Sequence, residues 1–241
     1  MAKIWANTKA KIMQAKIELK TGITALEAAA FGVMAVVIAV GFYLAATNED
    51  LFRSLYIVED GFLEYATSFM LFATAVLCAL RLVRDRAYHT KAFTLTYVLI
   101  VVLMIFGAGE EISWGQRIFN IESSEFFLSN NRQYETNLHN MEINGVNINK
   151  LIFSKGLVLF LILFYLVLPW VYRRNGAVAR MFDRLYIPVP KVHFGFAMLA
   201  AGLIIDLIPS GKKGELNEVC LSVFFFLTLL TPHNKPVVVR D

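Results

Sequence analysis

Apolar runs long enough to cross a bilayer recur along the whole chain, and no other feature restricts its fold so tightly. A helix needs roughly 20 consecutive apolar residues to span the hydrocarbon core, and Ala25 to Ala46, Gly61 to Leu82, Ala92 to Glu111 and Leu151 to Tyr172 meet that length. Two shorter runs follow, His193 to Ile208 and Val219 to Thr231. Lipid offers no partner to a backbone N–H or C=O, so such runs pair their polar groups internally, as helices. With 57% hydrophobic and 17% charged residues in 241, the chain also carries more apolar side chain than a soluble domain can hide. The expectation is an all-α, polytopic transmembrane helix bundle of about six spans, a six-span domain over residues 25–241.

Basic residues set the orientation. Of the 23 Lys and Arg, 16 fall in the segments on one side of the alternating spans and 7 on the other. The positive-inside rule then places both termini in the cytoplasm. Residues 1–24 hold five lysines against one acid, with Trp5, Ile12 and Leu19 at seven-residue spacing, the pattern of a basic amphipathic helix on the membrane surface. The net charge of +4 is accounted for by loops between spans, so no nucleic-acid partner is implied. Cys78 and Cys220 fall inside apolar runs and read as small hydrophobes.

Acids show the opposite bias: 14 of 19 Asp and Glu lie on the outer side. Glu49, Asp50, Glu122 and Glu125 read as a solvated rim. The third span, in contrast, runs through Gly107-Ala108-Gly109 straight into Glu110-Glu111-Ile112-Ser113-Trp114-Gly115-Gln116-Arg117. Adjacent carboxylates at the end of a span require a proton, a cation or an arginine nearby. If the helix continues, Glu110, Trp114 and Arg117 share one face. Glu59, Asp60 and Glu64 open the second span, Glu215 and Glu218 the sixth, and Asp206 sits in an apolar run. A charge there favours the bundle interior, with Glu64, Lys155, Arg117 or His139 as its partner.

The connection from Glu110 to Lys150 contains no proline and carries Trp114, Phe119, Phe126, Phe127 and Tyr134. Loops of this length in compact domains are usually functional, and a structured outer loop over 112–150, with short helices, is expected. Its segment Tyr134-Glu135-Thr136-Asn137-Leu138-His139-Asn140 holds the outer side's one histidine. His89, His193 and His233 read as interfacial caps, Ser210 to Gly214 as a turn, Lys155 as a snorkelling cation, and Val223-Phe224-Phe225-Phe226 as lipid-facing bulk.

Three chemistries fit this set. Glu64, Glu111 and His139 offer a ligand set for a divalent metal ion, oxygen-rich for Ca²⁺, Mg²⁺ or Mn²⁺ and with histidine for Zn²⁺. Glu110, Glu111, His139 and Arg117 offer a general base with cationic stabilisation of a developing anion. Glu59, Asp60, Trp114, Gln116, Glu135, Asn137, Asn140 and Asp206 would support either, and the whole set would equally serve as a structural polar network. Ion or proton translocation is a fourth use of the same groups.

The segments Gly109 to Arg117 and Glu135 to Asn140, preceded by Val58-Glu59-Asp60-Gly61, resemble a family of bacterial multi-pass membrane proteins without an established activity. The resemblance spans residues 57 to 141 and implies that these positions form one site. A looser likeness is to the intramembrane glutamate proteases that process prenylated proteins, of CAAX type, whose Glu-Glu is followed by Arg after three residues. Here Arg117 follows after five, and the later histidine motifs of that family are not matched. The function expected is a hydrolase acting on a lipid, lipid-linked or peptide substrate at the outer membrane interface. The alternative is a non-catalytic subunit or ion-binding protein whose polar network is structural or a docking surface. Membrane lipids, and other membrane-protein subunits, are the partners either reading implies.

Overall fold

The structure, a computed structural model, describes residues 22–84, 90–143, 146–147 and 156–234. The amphipathic helix expected over 1–24 falls almost wholly outside the described residues, as do His89, Lys150, Lys155 and the first residues of the fourth expected span. Eight helices carry the architecture described here: α1 Ala25–Thr47, α2 Phe62–Arg84, α3 Lys91–Glu111, α4 Glu125–Asn130, α5 Leu157–Arg174, α6 Gly176–Arg184, α7 Val192–Asp206 and α8 Gly214–Leu230. A two-stranded antiparallel hairpin, β1 Glu142–Ile143 with β2 Val146–Asn147, closes the loop after α4.

Helices α1, α2, α3 and α5 are each long and apolar enough to cross a membrane. Their large apolar side chains point outward as often as inward: Val33, Val36, Tyr43, Phe69, Phe72, Leu95, Leu99, Leu159 and Leu163 are all exposed. Water would not tolerate so continuous an apolar surface, whereas acyl chains match it. Helix α7, at 15 residues, covers about 22 Å, and α8, at 17, about 26 Å, both short of a hydrocarbon core of about 30 Å.

The core lies between α1, α5, α7 and α8, where Phe52, Phe194, Ile205, Leu216, Phe224 and Leu227 are wholly or almost wholly buried. Phe224 therefore packs inward, and the expectation that Val223 to Phe226 form lipid-facing bulk fails at this residue. Helix α2 packs along α3 on one side and α8 on the other, and Ser68 Oγ donates to the Ala108 carbonyl of α3 at 2.8 Å. These two contacts set the site, because they bring the first turns of α2 and α8 beside the last turn of α3.

Helix boundaries differ from the sequence-based ones where polar residues are helical. Helix α8 begins at Gly214, five residues before the expected Val219, so Glu215 and Glu218 occupy its first turns. Acids suit that position, where unpaired N–H groups and the helix dipole favour negative charge. Helix α7 ends at Asp206, whose carboxylate is 83% exposed and pairs with Lys213 at 3.1 Å. The expectation that Asp206 points into the bundle is overturned: the helix stops at this residue, and the chain turns through Ser210 and Gly211 so that Lys213 meets it in the open.

A second polar cluster sits at the other end of α8. Glu27 of α1 is fully buried and accepts from Lys191 Nζ at 2.7 Å and Thr231 Oγ1 at 2.6 Å, with His193 Nε2 at 3.2 Å. It also closes a capping box with Thr24. His193, expected as a simple interfacial cap, thus helps tie α7 to α1. His233 donates its backbone N–H to the Val189 carbonyl and packs its ring edge-on against Tyr172.

Candidate functional site

The loop after α3 turns back because three consecutive residues, Ser113, Trp114 and Gly115, take left-handed backbone angles, with φ of 46°, 56° and 75°. The α-helix stops at Glu111, which overturns the expected helical face of Glu110, Trp114 and Arg117. Two members still meet: Trp114 Nε1 donates to Glu110 Oε1 at 2.9 Å. The indole lies across Gly109, where a Cβ would come within 2.7 Å of the ring, so glycine is what allows the fold-back. Trp114 is consequently turned away from the site, into an outward groove with Phe69, Phe72 and Phe119.

Glu110 holds the loop to the helix end. Its Oε2 accepts the backbone N–H groups of Leu138, at 2.6 Å, and His139, at 3.0 Å, and the residue is buried. Three donors on one carboxylate make it an anchor for the segment 138–139 rather than a free base. Arg117 bridges Asp60 and Glu135, joining the α2 entry to the loop. Glu135 also accepts from Ser113 Oγ and Asn137 Nδ2. Asn137 extends the network, receiving Asn131 Nδ2 at 2.9 Å and the Asn140 N–H at 3.1 Å. Gln116 pins the loop from the side, donating to Ser123 Oγ and accepting from the Thr136 N–H, both at 2.7 Å.

Under this lid lies a polar cavity of about 340 Å³, lined by Glu59, Asp60, Glu64, Glu110, Glu111, Arg117, Gln133, Glu135, Asn137, His139, Asn140, Gly214, Glu215 and Glu218. The sequence-based candidates Glu59, Asp60, Glu64, Glu110, Glu111, Arg117, Glu135, Asn137, His139 and Asn140 thus meet there. Trp114, Gln116 and Asp206 do not line it. Gln133, Gly214, Glu215 and Glu218 line it without having been named as site residues; the spacing of Glu215 and Glu218 by one helical turn was the available signal.

Partners divide the eight carboxylates. Asp60 and Glu135 share Arg117, Glu110 has its three N–H donors, and Glu64 accepts the Asp60 backbone N–H at 2.5 Å. Glu59 lies 3.7 Å from Lys212 at the rim. Glu111 and Glu218 have no basic partner among the described residues, Glu215 hydrogen-bonds Glu218 and has Lys212 alone as a cation near it, and Glu215 Oε2 is shut off from solvent with no hydrogen-bond partner. Three such groups around one space need shared protons or a cationic guest.

The expected metal set of Glu64, Glu111 and His139 is not borne out. Among the described residues, no three His, Cys, Asp or Glu side chains stand close enough together to hold a metal ion. Glu64 is turned back onto the Asp60 N–H, away from a joint ligand set with Glu111 and His139.

Burial lowers the pKa of the His139 imidazole below its ordinary value of 6.5, against the opposing pull of the Glu110 charge. A histidine depressed in the folded state resists protonation there, so the unfolded loop takes up more protons between the folded value and about 6.5. Stability of the lid therefore rises with pH through that window and is lost as pH falls through it. Amide exchange at Leu138 and His139, corrected for intrinsic rates, is expected to quicken on acidification below about pH 6.5 in wild type and not in His139→Gln. A response unchanged in His139→Gln would assign it to another group.

Comparison with known proteins finds no matching family model, no matching curated relative and no matching solved structure, so the geometry of this site stands on its own.

Proposed function

We propose that this is a six-span protein of the bacterial inner membrane, both termini cytoplasmic, whose outer cavity hydrolyses an ester or amide bond of a membrane-borne substrate. The observation that carries the reading is the 340 Å³ cavity lined by Glu111, Glu215 and Glu218, of which Glu215 and Glu218 hydrogen-bond each other and Glu111 and Glu218 have no basic partner among the described residues, at the end of an apolar span. Carboxyl groups forced together share protons, so that one is a base while its neighbour is an acid. In this reading Glu111 takes a proton from water as the water oxygen bonds to the substrate carbonyl carbon. A protonated neighbour, Glu215 or Glu218, gives its proton to the departing oxygen or nitrogen as that bond breaks. Products are a carboxylic acid and an alcohol or amine. Of the other residues that the sequence offered with Glu111 for this chemistry, Glu110 serves as the lid anchor and Arg117 as the tie between α2 and the loop.

Protein in nanodiscs, incubated with inner-membrane lipid extract in H₂¹⁸O, should release a carboxylic acid carrying one ¹⁸O. Glu111→Gln should lower that yield by about 100-fold or more, the usual contribution of a positioned base. Absence of labelled acid with wild type, or full yield with Glu111→Gln, would overturn the reading.

A second reading, a non-catalytic subunit or docking protein, is favoured by one observation. The network of Glu110, Glu135, Asn137 and Asn131 is fully engaged in holding the loop. It predicts a bound partner subunit and no labelled acid.

A further inference from the structure

The acidic cavity borders an apolar groove. Between α5, α7 and α8 lies a second space of about 470 Å³, walled by residues such as Leu161, Met198, Gly202 and Phe224 and sharing Gly214 and Glu218 with the acidic cavity. Along α5 it runs from Leu157 to Leu166, about 14 Å at the helical rise. Its outer wall is the lipid-facing surface, where Leu199 and Leu203 are exposed. A chain lying in this groove would therefore enter sideways from the bilayer and end at Glu218.

We infer that the site takes an amphiphile with one alkyl chain in this groove and a primary ammonium head group, free of phosphate or other anion, in the acidic cavity. The inference rests on the cavity being the substrate site. Charge decides the head group. Glu111 and Glu218 lack a basic partner among the described residues, Glu215 has Lys212 alone as a cation near it, and the buried Glu215 Oε2 is an acceptor without a donor. Arg117, the cation among the lining residues, is already held by Asp60 and Glu135. An ammonium supplies three donors to such acceptors, whereas a phosphate or sulfate would be repelled by the eight carboxylates that line the cavity. The alkyl chain gains nothing over bilayer lipid by itself, so the head group selects the ligand and the groove orients it.

The test uses non-hydrolysable probes: an alkylamine with a photoreactive diazirine in its chain, and its sulfate-headed analogue, each added to the protein in nanodiscs of neutral lipid. The amine should label groove residues around Leu161, Met198 and Gly202 at least tenfold more than the sulfate probe does. Glu215→Gln/Glu218→Gln should reduce that labelling about tenfold. Gly202→Phe should also abolish it, since a Cβ at Gly202 meets nothing within 4 Å and the ring can occupy the groove. Equal labelling by both head groups, or labelling spread evenly over all lipid-facing helices, would overturn the inference; the head-group comparison needs no variant and so survives any folding defect. Binding is read without turnover. Selective labelling with no ¹⁸O product would leave this assignment standing and remove the hydrolase, and ¹⁸O product without amine selectivity would do the reverse.

Discussion

Replacing Glu110 by alanine is expected to release the outer loop from the bundle, at a cost of about 2–4 kcal/mol. The carboxylate accepts from Leu138 N, His139 N and Trp114 Nε1, and hydrogen bonds to a charged group contribute about 1.5–3 kcal/mol each. They do not simply add. Leu138 and Trp114 are partly exposed, so water repairs some of the loss. Glutamine at this position is expected to be nearly as harmful as alanine. Its amide nitrogen would oppose either the indole N–H or the two backbone N–H groups, because every neighbour is a donor. Aspartate, one methylene shorter, should recover part of the loss. Unfolding in a steric-trap assay would give the free energies, and amide exchange over residues 131–141 would locate the change. A Glu110→Ala protein within about 0.5 kcal/mol of wild type, with an unchanged loop, would show that the anchor lies elsewhere.

The other large effect belongs to Glu27. Its side chain is fully buried and joins Lys191, His193 and Thr231, residues from the beginning of α7 and the end of α8. Glu27→Leu leaves the Lys191 ammonium, itself only 20% exposed, without its counter-charge, and removing one member of a buried pair costs about 3–5 kcal/mol. The same change deletes half of the Thr24 capping box, adding about 0.5–1 kcal/mol. Lys191→Met alone leaves the carboxylate buried and should be comparably destabilising. The double variant Glu27→Leu/Lys191→Met should be less harmful than the sum of the two, because no orphaned charge remains. Strict additivity in this cycle would mean that the pair contributes nothing as a pair. Labelling of the outer cavity should survive these changes wherever the protein folds, since the two clusters lie at opposite ends of α8.

Class and rough boundaries were legible from the chain itself. Apolar length alone dictates helices in lipid, and α1, α2 and α3 fall within a few residues of their expected ends. Among the described residues, the aromatic, proline-free loop from Glu110 onward holds the short helix α4 and a strand pair, and the carboxylates that the sequence grouped by position surround one cavity. Partners were not legible. Glu110, Glu111 and Glu135 look alike in sequence, yet one anchors backbone amides, one faces open space and one holds an arginine, because pairing depends on which donors arrive through space. Asp206 shows the reverse error: an acid in an apolar run reads as buried until the helix is seen to end beneath it. Periodicity could not foresee the left-handed turn at Ser113 to Gly115 either, and that turn sends Arg117 to Asp60 and Glu135 instead of up the helix. What the sequence determined by itself is that this chain is helical, suited to lipid and acid-rich at one end, since those follow from the solvent each residue tolerates. Which acids are satisfied and which face the cavity, only the packing of α2, α3 and α8 decided, and the apolar groove that borders Glu218 only that of α5, α7 and α8, because hydrogen bonds and cavities are made between segments far apart in the chain.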